Sequence, residues 1–361
     1  TYDLNVKKGF ITSNTLLEFG SGQEPKLEYA FAKVPDGTGT HTWIDYNEDG
    51  IQQINEFEIA AFQSDADYIK IFLPTNEYVK AYTSQFNESF GITPARLWKN
   101  AKGFRAAVSR FSALATIQTN KKTFQGDFET QFNPFFLNVD DSLLLATASI
   151  ISGYLYYNKT SSKFGVDLFY QNNRGKNLLT NGVEIRTAES YGTRLRWNFT
   201  RKFSLNAKGT MGTSGYAAAY YPQNDYSIDA FGAESQLIFQ PSNTFRIAAG
   251  YGYGNGENTI GDVGEKSTSN KVTTELKYNV ITKSELSVTA SYIRVQYNGA
   301  ANTPVAYAML QGLQKGSNLL MNVSFERKLS SFLEMTLSYE GRKTGLAKFI
   351  NTGQAQIRAL F

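Results

Sequence analysis

From about residue 100 onward, apolar and polar residues alternate one by one in segments of roughly ten, the length of a membrane-spanning strand. Tyr191, Thr193, Leu195, Trp197 and Phe199 fall on one face, and Gly192, Arg194, Arg196 and Asn198 on the other. The next segment sets Phe203, Leu205, Ala207 and Met211 against Ser204, Asn206, Lys208 and Thr210. Further on, Val272, Leu276, Tyr278 and Val280 oppose Lys271, Glu275, Lys277 and Asn279, and Leu333, Met335, Leu337 and Tyr339 oppose Glu334, Thr336, Ser338 and Glu340. A period of two places successive side chains on opposite faces of a strand. The pattern predicts about 12 strands after residue 100 and two more near 3–18 and 78–93, about 14 in all, an even number as in single-chain bacterial barrels.

Alternation by itself also fits a sandwich or a soluble barrel. Three features point to a transmembrane barrel. The polar face carries full charges, as a wet lumen does. The apolar rows end in aromatics beside the short turns: Phe164, Trp197, Phe199, Phe203, Phe239, Phe245, Phe325 and Phe332. Connections are predicted to alternate strictly, with short turns at "KTSSK", "TRK", "PSNT", "TKSE" and "LSS" and long polar loops around 171–182, 213–225, 254–268, 298–316 and 341–350. That is outer-membrane topology with the short side periplasmic, and it puts Phe361, the last residue of "GQAQIRALF", on that side.

Residues 19–77 break the rhythm. The division read from the chain is a first barrel strand at 1–18, an extracellular insertion at 19–77 and the transmembrane barrel at 78–361. Within the insertion, "WIDYNEDGIQQINEFE" (43–58) places Asp45, Asn47, Asp49, Gly50 and Glu56 at positions 1, 3, 5, 6 and 12 of an EF-hand-type loop. Calcium takes six to eight oxygens, and alternate side chains converge on one point only where glycine permits a sharp turn. Asp45, Asn47 and Asp49 would supply side-chain oxygens, Ile51 its carbonyl, Gln53 a water-bridged contact and Glu56 a bidentate carboxylate. The preceding "GTHTWI" reads as strand rather than helix, which suits a fixed structural ion; the competing reading is a metal-free Asx-type turn. A short helix is expected in "TPVAYAMLQGLQKG" (303–316), and the glycine-rich "GYGYGNGENTIGDVG" (250–264) is expected to be a surface loop.

Composition narrows function. The chain has no cysteine, which excludes disulfides and thiolate metal sites, and no 18-residue apolar run, which excludes a transmembrane helix. Charged residues at 19% and aromatics at 14% suit strands with one apolar face, and a net charge of +4 without a basic run argues against nucleic acid. The one histidine, His41, is expected in a strand beside Trp43, and no G-x-S-x-G elbow occurs, so His-dependent hydrolysis is disfavoured. The charges at Arg194, Arg196, Lys208, Glu275, Lys277, Glu326, Glu334, Glu340 and Arg358 would line either a selective pore or a salt-bridged, plugged lumen. With no initiator Met and no signal peptide at its start, the chain is expected to be processed or part of something longer.

The segments "GTGTHTWIDYNEDGIQQINEFEIAAF", "PTNEYVKAY", "TPVAYAMLQGLQKG" and "GQAQIRALF" together resemble large outer-membrane proteins of Bacteroidota, of which this chain would be the C-terminal barrel portion. The aromatic-plus-"NEFE" loop is more distantly similar to the outer-membrane translocon of the type nine secretion system. The resemblance implies the bacterial outer membrane. The expectation is a non-enzymatic barrel with a calcium-stabilised insertion, acting as a pore or as a structural subunit of a secretion or assembly complex. A passive porin for small solutes and an outer-membrane hydrolase are the alternatives. Expected surroundings are the lipid bilayer, lipopolysaccharide and other outer-membrane or surface subunits, with no nucleic acid.

Overall fold

A computed structural model describes residues 1–361 except 100, 125–126, 138, 180–181, 262–263, 281–282 and 360–361; at 25–27 and 74–77 only the backbone is described. Phe361 therefore lies outside the described residues. In chain order the strands are β1 (Tyr2–Val6), β2 (Ile11–Lys33), β3 (His41–Trp43), β4 (Phe57–Ile59), β5 (Tyr68–Ile92) and β6 (Phe111–Thr123). There follow β7 (Leu144–Tyr157), β8 (Phe164–Leu179), β9 (Gly182–Trp197), β10 (Phe203–Ala218), β11 (Tyr226–Phe239) and β12 (Phe245–Asn258). The series ends with β13 (Lys266–Val280), β14 (Ser284–Tyr297), β15 (Gly316–Lys328), β16 (Leu333–Lys343) and β17 (Ile350–Ala359). Three short helices, α1 (Phe104–Val108), α2 (Phe128–Phe132) and α3 (Pro304–Leu310), sit in connections. No helix of the described residues is long and apolar enough to cross a membrane.

All strands join one antiparallel sheet. Each long strand pairs with the next, from β5–β6 to β16–β17, while β2 pairs with β1 on one side and with β5 on the other. Seventeen strands are described rather than about 14, because the count from alternation missed β3 and β4 and took β1 and β2 as one strand. The chain between those two reverses at Lys7, Lys8 and Gly9, all with positive φ. The sheet is also not closed: among the described residues β17 pairs only with β16, and β2 beyond Thr15 only with β5.

Register divides the side chains as expected. Arg194 faces Asp167 and Lys208, and Lys277 faces Arg246, all on one side; Trp197, Leu195, Leu276 and Leu337 lie on the other. Aromatic contacts run along the turn end of that second face, through Phe111, Tyr157 and Phe164 and then Trp197, Phe199, Phe203 and Phe239.

The connections depart from strict alternation. On the loop side β8 and β9 are separated only by 180–181, whereas on the turn side 93–110 is long and holds α1. The strands run on through much of the expected loops at 171–182, 213–225, 254–268 and 341–350, and β12 contains most of the glycine-rich stretch. Asn172, Arg174, Thr187, Glu189, Thr213 and Asp229 continue the ladder on the face of Leu195, and Gln171, Asn173, Ser190 and Ser214 continue it on the face of Arg194, so both faces are polar. Above an apolar band both faces meet water, so pairing persists where alternation stops. For the same reason 19–33 and 68–77, expected within the insertion, belong to β2 and β5, and the segment outside the long strands is 34–67. The expected helix in 303–316 is present as α3.

Candidate functional site

Segment 34–67 identifies which face of the sheet is interior. It touches β9–β11 on one side and β16 on the other. In a flat sheet β9 and β16, seven steps apart, would be separated by roughly 34 Å. One short segment reaches both because the sheet curls around it. The face carrying Arg194 and Arg186 is therefore the lumen, and the segment is a plug at the loop end.

The plug is organised by β3 pairing with β4, and by Phe31 stacking on Phe57 at 4.1 Å, with Tyr68 edge-on to Phe57 at 5.0 Å. His41 lies in β3 as expected; its ring meets Phe31 at 5.1 Å and its Nδ1 is 2.9 Å from Thr40 Oγ1. Burial lowers its pKa, and the nearby Lys70 and Arg186 lower it further. Glu58 is shifted upward by burial against the pull of Arg186, and it accepts a 3.2 Å hydrogen bond from Tyr46 Oη. Behind them Arg186 bonds Glu184 at 2.7 Å and lies 4.6 Å from the Tyr216 ring, while Lys70 reaches Glu184 at 4.0 Å.

The opposite wall holds the plug by charge. Arg342, 6% exposed, donates through Nη1 to Asp65 Oδ2 at 2.6 Å and covers the Phe62 ring at 4.2 Å. The loop around α3 adds main-chain clasps: Asn302 Nδ2 donates to the Asp45 carbonyl, and Tyr307 Oη donates to the Ile59 carbonyl while accepting from Ala61 N–H. Asn224 Nδ2 donates to the Asn55 carbonyl from the β10–β11 connection. A Cβ at Gly312 would come 2.8 Å from the Phe62 ring, so that close approach requires glycine.

The six residues expected to hold calcium all lie in this plug. Asp45 accepts from Asp49 N–H at 3.1 Å and Gly50 N–H at 2.8 Å, and the chain turns through positive φ at Glu48 and Gly50. Asp49 accepts from Ile51 N–H, Asn47 Nδ2 and Gln53 Nε2. Glu56 is 1% exposed and accepts from Trp43 Nε1 at 2.9 Å and Gln53 N–H at 3.2 Å. Among the described residues no three His, Asp or Glu side chains are grouped so as to hold a metal ion. The backbone has the turn that an EF-hand-type loop needs, but its carboxylates are occupied by the loop's own N–H donors and indole.

Deeper in the lumen the charges differ in kind. Arg246 and Lys277 both pair with Glu275, at 2.6 and 3.4 Å. By contrast, Arg194 stacks over Phe169 at 4.6 Å, and among the described residues Lys208 and Lys271 make no ion pair within 4.0 Å. Together with Arg196, Asp167 and Glu234 they line a groove of about 510 Å³, opened by Gly250 and Gly252. The glycine-rich stretch thus makes room on the inner wall.

No family model matches the chain, and no curated protein matches it in sequence. Among solved structures it is similar to the TodX monoaromatic hydrocarbon channel deltaS2 mutant, with 11% identity, TM-score 0.27, and 78% of this chain and 82% of that one covered. It is also similar to the Pseudomonas putida toluene transporter TodX, with 13% identity, TM-score 0.26, and 78% and 83% covered. A second structure of that transporter shows 10% identity, TM-score 0.26, and 98% and 91% covered. Likeness at this level carries no argument about function.

Sequence reading assigned the ligand series and His41 to one insertion, 19–77, and both lie in the narrower segment 34–67. It missed Asp65, Arg342, Asn302 and Tyr307, which come from distant parts of the chain.

Proposed function

We propose that this chain forms the wall of a plugged outer-membrane pore and works as part of a larger assembly. The plug carries the reading: 34–67 is held from opposite walls by Arg342–Asp65 and by clasps from the loops, so passage requires its displacement. A charged inner face, an apolar outer face and an aromatic ring at the turn end support an outer-membrane location. The unpaired Arg194, Lys208 and Lys271 favour anionic solutes or anionic surfaces of cargo once the plug is displaced. A permanently open porin is less well supported, since a segment fills the mouth. A hydrolase finds no support, since His41 is packed between Phe31 and Thr40.

Structural membership in a secretion or assembly complex is the second reading, favoured by the open seam. Sheet edges are not left unpaired in hydrocarbon, so β17 and the far edge of β2 call for further strands or a partner subunit. Close to that seam the outer face turns polar, where Glu88 accepts from both Ser13 and Thr15. Calcium belongs to this proposal on ligand spacing and backbone turn: Asp45, Asn47, Asp49, the Ile51 carbonyl, Gln53 and Glu56 would bind it once the Asn47 and Gln53 amides give way. Planar-bilayer recordings of the natural protein with and without Arg342→Met test the pore. A plugged pore is nearly silent until the variant loosens it; silence in both leaves the structural reading.

A further inference from the structure

The connection between β6 and β7 does something unlike the plug. Described at 124, 127–137 and 139–143, it leaves the loop end and folds back against the outside of the wall. Phe132 packs edge-on to Phe19 at 5.6 Å, and Phe135 packs on Phe86 at 4.9 Å. Lys121 Nζ donates to the carbonyls of Asn133 at 2.6 Å, Phe136 at 3.2 Å and Glu129 at 3.4 Å. Lys176 donates to the Val139 carbonyl at 3.3 Å and pairs with Asp141 at 2.5 Å. Register puts Lys121, Thr147 and Lys176 on the face of Leu195 and Trp197, which is the outer face.

That outer face is polar here. Ser84, Thr119, Lys121, Thr123, Thr147 and Ser149 are all buried beneath the strap, and the hydroxyls of Ser84, Thr119 and Thr123 have no partner among the described residues. Bare, the patch would set an ammonium and several hydroxyls at the edge of the apolar band, where buried polar groups without partners are disfavoured. What the strap shows outward is the reverse: Phe128 is 76% and Phe135 59% exposed, with Phe132 and Phe136 beside them.

The strap's height on the wall indicates what it meets. Phe111, at the start of β6, belongs to the aromatic ring of the turn end. Lys121 lies ten residues further along the same strand. At about 3.3 Å per residue and a tilt near 45°, that is roughly 23 Å along the membrane normal, close to the height of the apolar band. We propose that the strap is an interfacial anchor: it covers a polar patch of the wall and seats Phe128, Phe132, Phe135 and Phe136 at the boundary of the outer lipid leaflet. The surface is continuous with the apolar outer wall, and its phenylalanines are the ring bodies such a boundary accepts. The assignment rests on the barrel reading only in that the wall meets lipid.

Because the chain has no cysteine, single nitroxide labels report one position at a time. Phe128→Cys and Phe135→Cys would be compared with Leu168→Cys on the outer wall and Ser162→Cys in a turn, in the full chain in phosphatidylcholine vesicles. Collisions with oxygen and with a water-soluble nickel chelate are measured. The expected result is a severalfold higher oxygen-to-nickel ratio at 128 and 135 than at 162, approaching that at 168. Labels at 128 and 135 that behave like 162, while 168 remains lipid-exposed, overturn the anchor. Shelter from both reagents also overturns it and assigns the surface to a protein. If 168 itself is aqueous, the barrel reading has failed instead. Lys121→Met should free the strap and raise nickel access at 128, and Lys121→Arg should restore the wild-type ratio; no change in Lys121→Met counts against the strap's seat.

Discussion

Two long connections leave the same end of the sheet and go opposite ways. The 34–67 segment turns inward, stacks Phe57 on Phe31 at the end of β2, and meets the rest of the wall through Asp65, backbone carbonyls and N–H groups. The 127–143 strap turns outward, buries the ammonium of Lys121 beneath itself and leaves phenylalanine in view. On the proposed reading, each segment presents to its surroundings the chemistry those surroundings solvate: polar groups to a wet lumen, rings to lipid. Lumen contacts are therefore ion pairs and hydrogen bonds, which can be broken by charge, whereas the strap relies on covering charge.

The largest effect that separates the two comes from Lys121→Met. It leaves the carbonyls of Glu129, Asn133 and Phe136 without their charged donor, at a cost of about 3 kcal/mol. Limited proteolysis should then cut within 127–143 and spare 34–67. Cuts in both segments would show that they are one cooperative unit. Next is Arg342→Met, which leaves Asp65 alone. Because the Asp65 side chain is 38% exposed, the expected loss is smaller, about 2 kcal/mol, with cuts now confined to the plug. The double variant should be additive, since the sites share no partner.

The plug holds two titratable groups whose shifts oppose each other. His41 has a pKa lowered by burial, so its contribution to docking is complete above the undocked value of about 6.5 and is lost as pH falls through the docked one. Glu58, shifted upward by burial, works in the other direction: its contribution is present below its undocked value and is lost as pH rises through the docked one. Following plug protection as pH falls from 7.5, His41→Gln should flatten the loss on the acid side, and Glu58→Gln should remove the opposing gain. Identical profiles in all three would place the titration elsewhere. The smallest effect is expected from calcium. At millimolar calcium the proposed loop should gain modest protection that a chelator removes, with cuts appearing only within 34–67. A chelator without effect would leave the Asx-turn network as the loop's whole support.

Much of the wall was legible in the sequence. Arg194 against Leu195, or Lys277 against Leu276, needs only a period of two and one wet face. The limits of the strands were not, because Asn172 to Lys176 and Thr213 to Gly215 stay paired above the apolar band, where neither face selects for hydrophobicity. Of the site, the spacing of Asp45, Asn47, Asp49, Gly50 and Glu56 was visible, since a turn is a local property. The direction in which their carboxylates point was not. Glu56 is turned toward the Trp43 indole by the packing of β3 on β4, and no spacing encodes that.

By itself, then, the sequence determined the strand character, the two faces, the absence of a helical span and the presence of one local turn rich in oxygen ligands. These rest on near-neighbour periodicity and on residue types that solvate well or badly. Tertiary structure alone decided that 34–67 lies in the lumen, that Arg342 finds Asp65 across 277 positions, and that Lys121 on the outer wall is hidden by a strap. Those outcomes depend on how far a twisted sheet curls. Curvature is a sum over many strands, and it brings together residues whose separation along the chain carries no signal.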